Sequence, residues 1–232
     1  MPILTANLLL TSTPLWVAAV VLLVPTTIFA MWGPVIVRRY VPLNRLRANN
    51  EVAGFKFAAV GVIYAVLLAF ATLVVWERFN QADSDVANEA SAAATVFRLT
   101  QGLDADHGAT VRKATTDYLK QAVAKDWPAM DLRDVDRISE MRRQRLVAAS
   151  GVVPGIIWTV LFTGAFVTVG FTFFFGTANL RAQAVMSGAL SILIFLGLLT
   201  IVAIDHPFAG TVKVGPEALI AVINDFGENA LR

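Results

Sequence analysis

The chain has 232 residues, 56% of them hydrophobic and only 16% charged, with two histidines, no cysteine and a net charge of +2. Soluble domains run nearer about 45–50% apolar and about 25% charged, so the composition excludes a disordered chain, a disulfide scaffold and a Cys-ligated metal centre, and argues against a water-soluble enzyme. So small a net charge carries no nucleic-acid signal; where the charges stand matters more than their sum.

Residues 1–37 hold no charged side chain, and apolar density is highest over 15–37. No Lys or Arg precedes Arg38, so the stretch lacks the basic start of a cleaved leader and is expected to stay as a helix. A second uncharged stretch covers residues 57–76. A third, 146–180, has room for one span over roughly 154–175, and a fourth covers 182–204. About 20 apolar residues cross a hydrocarbon core of roughly 30 Å, and backbone amides in lipid must bond within their own segment. The expected fold is an all-α integral membrane protein: four transmembrane helices, with a helical stalk between the second and third. Its expected parts are a first transmembrane pair with a short loop (1–76), the stalk (77–145), a second pair (146–204) and a C-terminal tail (205–232).

The first connection is basic, with Arg38, Arg39, Arg45, Arg47 and Lys56 against Glu51. In the stalk, Phe79, Ala82, Val86, Ala90, Ala93 and Phe97 recur at spacings of three and four, a seam for packing against another helix. No proline falls between Phe57 and Leu99, so the second span is expected to run on into water as one long helix ending near Gly102. A second stalk helix, with Val111, Tyr118, Leu119 and Ala122 apolar, is expected to stop before Pro128. A third is expected from about Asp134 into the third span through Arg142, Arg143 and Arg145. The third connection is a hairpin over residues 176–181. Counting short loops places the first connection in the cytoplasm, with the termini and stalk outside.

The four apolar cores hold no ionisable side chain, although proton carriers, intramembrane metalloproteases and haem proteins need such groups at depth. No phosphate-binding glycine loop, HExxH motif or paired catalytic carboxylate is present. His107, in a stalk turn, and His206, at the membrane edge, read as surface residues. No enzyme, metal site or cofactor is therefore expected. A channel passes the same test, because a pore can select with hydroxyls, carbonyls and hydrophobic constrictions. The second span has small residues at Gly54, Ala58, Gly61, Ala65 and Thr72 beside Tyr64, Leu68 and Phe70; the third has Thr159, Thr163, Thr168 and Thr172. Close helix packing and pore lining both account for these. Glu77 reads either as a charge on a solvated face or, with Arg78, as part of a ring at a pore mouth. Trp76 and Trp158 read as headgroup anchors.

The segments entering and leaving the second span resemble a known family. Asn49-Asn50-Glu51-Val52-Ala53-Gly54, then residues 64–70, Trp76-Glu77 and Glu89-Ala90 are similar to bacterial four-helix membrane proteins of the bestrophin-like group. So are residues 142–146, Pro154, Trp158 and residues 171–176. Asp205-His206-Pro207-Phe208-Ala209-Gly210 is similar to the segment that follows the last helix of bestrophins. The resemblance implies a bacterial inner-membrane protein that self-associates, as a pentamer in the bestrophin pattern, and conducts anions through a hydrophobic neck on the second span. Tyr64, Leu68 and Phe70 would form that neck, with Pro207 and Phe208 supporting the pore base. Bestrophins keep both termini and the middle region in the cytosol, the opposite of the loop-charge orientation, and have a longer middle region. The alternative expectation is a non-conducting sensor or an accessory subunit of a larger membrane complex, built on the Ala-rich seam.

Overall fold

The computed structural model describes residues 14–132, 153–209 and 212–229, and no strand occurs among them. The expected helix from Asp134, its Arg142, Arg143 and Arg145, and Gly210 lie outside the described residues. The elements are α1 (Leu15–Tyr40), α2 (Leu43–Ala48), α3 (Asn50–Leu99), α4 (Ala105–Gln121), α5 (Trp127–Leu132), α6 (Gly155–Phe171), α7 (Leu180–Ile204) and α8 (Glu217–Asn229). Among the described residues, four helices are long and apolar enough to cross a membrane: α1, α3, α6 with its 3₁₀ extension to Phe174, and α7. This is an all-α membrane protein. Pro14, Pro42 and Pro154 stand immediately before α1, α2 and α6, where a residue without an amide hydrogen cannot prolong what precedes it.

The chain divides into two compact units. The first comprises residues 14–75 with Val153–Asp205. Here α1 packs along α7, and α6 packs on both. The helices are pinned by aromatic edges: Phe29 of α1 meets Phe166 of α6 at 5.9 Å and Phe173 at 5.5 Å, and Phe166 meets Phe195 of α7 at 5.4 Å. Each such pair contributes about 0.5–1.5 kcal/mol beyond its buried area. Coverage of the spans is uneven: 56% of the most apolar stretch of α7 is buried, but only 11% of that of α3.

The second unit comprises, of the described residues, 76–132, 206–209 and 212–229. The seam of α3 is buried here: Ala82, Val86, Ala90 and Ala93 lie in one core, flanked by Phe79 and Phe97. What covers it comes from the same chain, namely Leu119 of α4, Trp127 and Met130 of α5, and Leu219 and Phe226 of α8. Phe226 stacks on Phe97 with centroids 3.7 Å apart. The segment read from the sequence as a tail thus supplies a helix of this core. Trp127 meets Phe208 edge-on at 6.0 Å and donates through Nε1 to the Val214 carbonyl at 3.3 Å.

One helix boundary differs from expectation. The chain does not leave helical structure before Pro128. Residues Ala122–Asp126 form a π turn, and α5 follows with Pro128 inside its first turn. In an α-helix the proline ring meets the carbonyl four residues back. Here that carbonyl belongs to Ala124, within the wider π turn, which makes room for the ring.

Candidate functional site

The sequence marks two faces of α3 as one pore surface, and the structure separates them. Tyr64 is 5% exposed, and its ring lies where a Cβ at Gly164 of α6 would approach to 2.6 Å. The hydroxyl is buried without a hydrogen-bond partner among the described residues. Leu68, one turn on, reaches α7, with Cδ2 3.1 Å from the Cβ position of Gly197. Both side chains are spent on packing inside the unit, and glycines on the facing helices let them in. Phe70 is 64% exposed. At 100° per residue it points away from Leu68 by about 160°.

Phe70 belongs instead to an uncovered apolar stripe, which includes Val52, Phe55, Val62, Val66 and Leu73, each exposed and stepped by three, four or seven residues. The neck-forming candidates therefore fall on two faces, and Val62 and Val66, which sequence reasoning passed over, share the face of Phe70. Glu77 is exposed and belongs to the second unit.

At the end of the first unit where α1 stops and α3 starts, polar side chains hold the α6–α7 hairpin. Asn50 clasps Gly176 on both sides: its Oδ1 accepts the Gly176 amide at 2.7 Å, and its Nδ2 donates to the Gly176 carbonyl at 3.1 Å. Gln183, 3% exposed, donates to the carbonyls of Phe175 at 2.6 Å and Thr172 at 3.2 Å. Its Oε1 accepts from Thr177 Oγ1 at 3.2 Å and from Arg38 Nη2 at 3.3 Å. Asn179 caps α7, its Oδ1 accepting the amides of Arg181 and Ala182. Beside this cluster lies a cavity of about 310 Å³, lined by Phe57 of α3, Thr172, Phe175 and Thr177 of the hairpin, and Gln183, Met186, Ser187 and Leu190 of α7. Sequence reasoning missed Gln183, although an amide inside a span already signals a buried polar contact.

The other motif residues take structural places. Glu51 is exposed in the first turn of α3, and Gly54 leaves ordinary space toward Phe175. Trp76 is exposed, as a headgroup anchor would be. Trp158 is not: it is 2% exposed and stacks on Phe162 at 5.8 Å, so the expected anchor is an interior residue. Pro154 opens α6. Asp205 closes α7, its Oδ1 accepting the Val153 amide at 3.0 Å. In the second unit Glu89 accepts a hydrogen bond from the Tyr118 hydroxyl, and Pro207 and Phe208 are fully buried. His206, expected at the surface, is buried as well, because the segment after α7 folds into the second unit's core rather than trailing in water. His107 is exposed and bonds Asp104, the N-cap of α4, through Nδ1 at 2.6 Å. Among the described residues no three His, Asp or Glu side chains come together as a metal site.

A family model described as Bestrophin-like domain matches residues 24–134 and 131–219 of the chain. No curated protein and no solved structure matches.

Proposed function

Because the chain belongs to the bestrophin-like family, we propose that it assembles as a ring of identical subunits in a bacterial inner membrane and conducts ions, anions in particular, passively through the ring. The observation that carries this reading is the uncovered stripe of α3. A helix with only 11% of its most apolar stretch buried has a face left for other chains, and Val62, Val66 and Phe70 repeat on it every fourth residue. Brought around an axis, such rows make stacked apolar rings, the kind of constriction that gates by dewetting. The neck is assigned to Val62, Val66 and Phe70, with Tyr64 and Leu68 supporting it from behind. Anion preference is supported by Arg38, Arg39, Arg45, Arg47 and Lys56 against the single Glu51 near the start of α3, since a cationic mouth concentrates anions. Nothing in the mechanism calls for catalysis or a cofactor.

The rival reading, a sensor or accessory subunit, drew on the α3 seam, which needs a partner helix from its own chain or another. The chain's own α4, α5 and α8 fill that seam, so the face that favours self-association is the uncovered stripe and not the seam. The test is flux from liposomes holding the purified protein. Halide efflux that rises when Phe70→Ala widens the neck supports the proposal; no flux above empty liposomes from wild type or variant sinks it.

A further inference from the structure

The cavity beside the α6–α7 hairpin is apolar and borders Arg38 through Thr177 and Gln183, and we propose that it binds an anionic phospholipid, with an acyl chain in the cavity running past Leu190 and the phosphate beside it at Arg38. The inference stands whether or not the chain conducts.

Arg38 lies in the last turn of α1, at the depth where headgroups meet a span and long basic side chains reach for them. Its Nη2 donates to Thr177 Oγ1 at 3.4 Å and to Gln183 Oε1 at 3.3 Å. Both acceptors are neutral and both bonds are long. Its Nε is buried and has no hydrogen-bond partner among the described residues. A half-buried guanidinium with such partners is under-compensated, and a phosphate would offer it shorter, charge-assisted, bidentate bonds. The nearby connection carries Arg39, Arg45, Arg47 and Lys56 against Glu51 alone, so the local field also favours an anion.

Thr177 and Gln183, the acceptors of Arg38, themselves line the cavity. From Gln183 to Leu190 the α7 wall runs seven residues, about 10 Å, and changes from amide to alkyl along the way. Phe57 continues the apolar wall from α3. Met186, on the same wall, is exposed on the surface of α7, which would give an acyl chain a way in from the side of the span. A free phosphate would leave the apolar length unfilled, and an alkyl chain alone would leave the cation uncompensated. A phospholipid answers both, as basic pockets between membrane helices do for anionic lipids.

The experiment is native mass spectrometry of the intact detergent-purified protein with phosphatidylglycerol and phosphatidylcholine at equal concentration. Phosphatidylglycerol is expected to be retained preferentially. Arg38→Gln should lower its retention about tenfold, the loss of one charge-assisted contact, and bring it near that of phosphatidylcholine. Arg39→Gln, removing the same charge from an exposed neighbour, should leave it unchanged. Leu190→Trp should weaken both lipids. The proposal is overturned if Arg39→Gln acts like Arg38→Gln, if Leu190→Trp leaves lipid retention intact, or if millimolar inorganic phosphate displaces the lipid. Should Arg38→Gln not fold, Leu190→Trp decides alone, since it touches none of the hairpin's hydrogen bonds.

Discussion

Gly176 sits where a methyl group has no room: a Cβ there would come within 2.5 Å of the Arg47 amide nitrogen and 2.8 Å of the Leu46 carbonyl carbon. Both obstacles are backbone, so neither can swing aside. Gly176→Ala should lower thermal stability in detergent by about 1–3 kcal/mol through overpacking. Gly170→Ala, where nothing lies within 4 Å, should be neutral or raise it by up to about 1 kcal/mol. Asn50→Ala removes both clasps on Gly176 and should cost about 1–3 kcal/mol for the polar groups left half-buried; a midpoint unchanged from wild type would show the clasp to be idle. In the second unit, hydrogen bonds from His107, through its ring and then its backbone amide, hold the Asp104 carboxyl below the usual carboxylate range. A depressed carboxylate favours the folded state above its ordinary pKa, and that contribution fades as pH falls through the depressed value. His107→Ala should therefore move the Asp104 titration, followed by carboxyl NMR, back up toward an ordinary aspartate.

At the scale of elements, the α3 seam and α8 depend on one another. The seam residues are small, so the facing helices come close, and α8 is fixed by Phe226 stacked on Phe97. Phe226→Ala should cost the second unit about 3–5 kcal/mol and speed proteolytic cleavage near α8. Ala90→Leu should cost about 1–3 kcal/mol, because a 4% exposed alanine in that core has no volume to spare. Equal cleavage rates in wild type and both variants would mean that α8 does not hold the seam. The seam itself was legible in the sequence, because polar residues between Phe79 and Phe97 mark which side is dry. Its partner was not: a periodic face announces that it must be covered, not by what. The π turn before Pro128 was also out of reach, since proline signals a disturbance without saying whether the helix stops or widens.

At the scale of the molecule, the exposed stripe on α3 faces a shared axis if the proposed ring forms and lipid if it does not. Val66→Lys distinguishes the two. Facing lipid near the bilayer centre, a lysine would cost about 2.5–3.5 kcal/mol of insertion free energy and membrane yield would fall. Around a water-filled axis it should be tolerated and alter ion selectivity, which is the expected result. Native mass spectrometry of the same particle should count a closed ring of more than two chains, since only rotational closure places every α3 stripe about one axis. A monomer or dimer would remove the pore.

The sequence by itself determined that the chain crosses a membrane four times as helices, because uncharged runs of that length leave the backbone no other way to satisfy its amides. It also determined the basic character of the first connection and the seam of the stalk. Only the tertiary structure decided that Tyr64 and Leu68 turn inward while Phe70 turns outward. In a span apolar on every side, periodicity no longer tells a buried face from an exposed one, so the side that packs is chosen by where small residues such as Gly164 and Gly197 open a facing helix. Nor could the sequence join Asn50 to Gly176 across 126 positions; that bond exists because two loops end at the same level of one bundle.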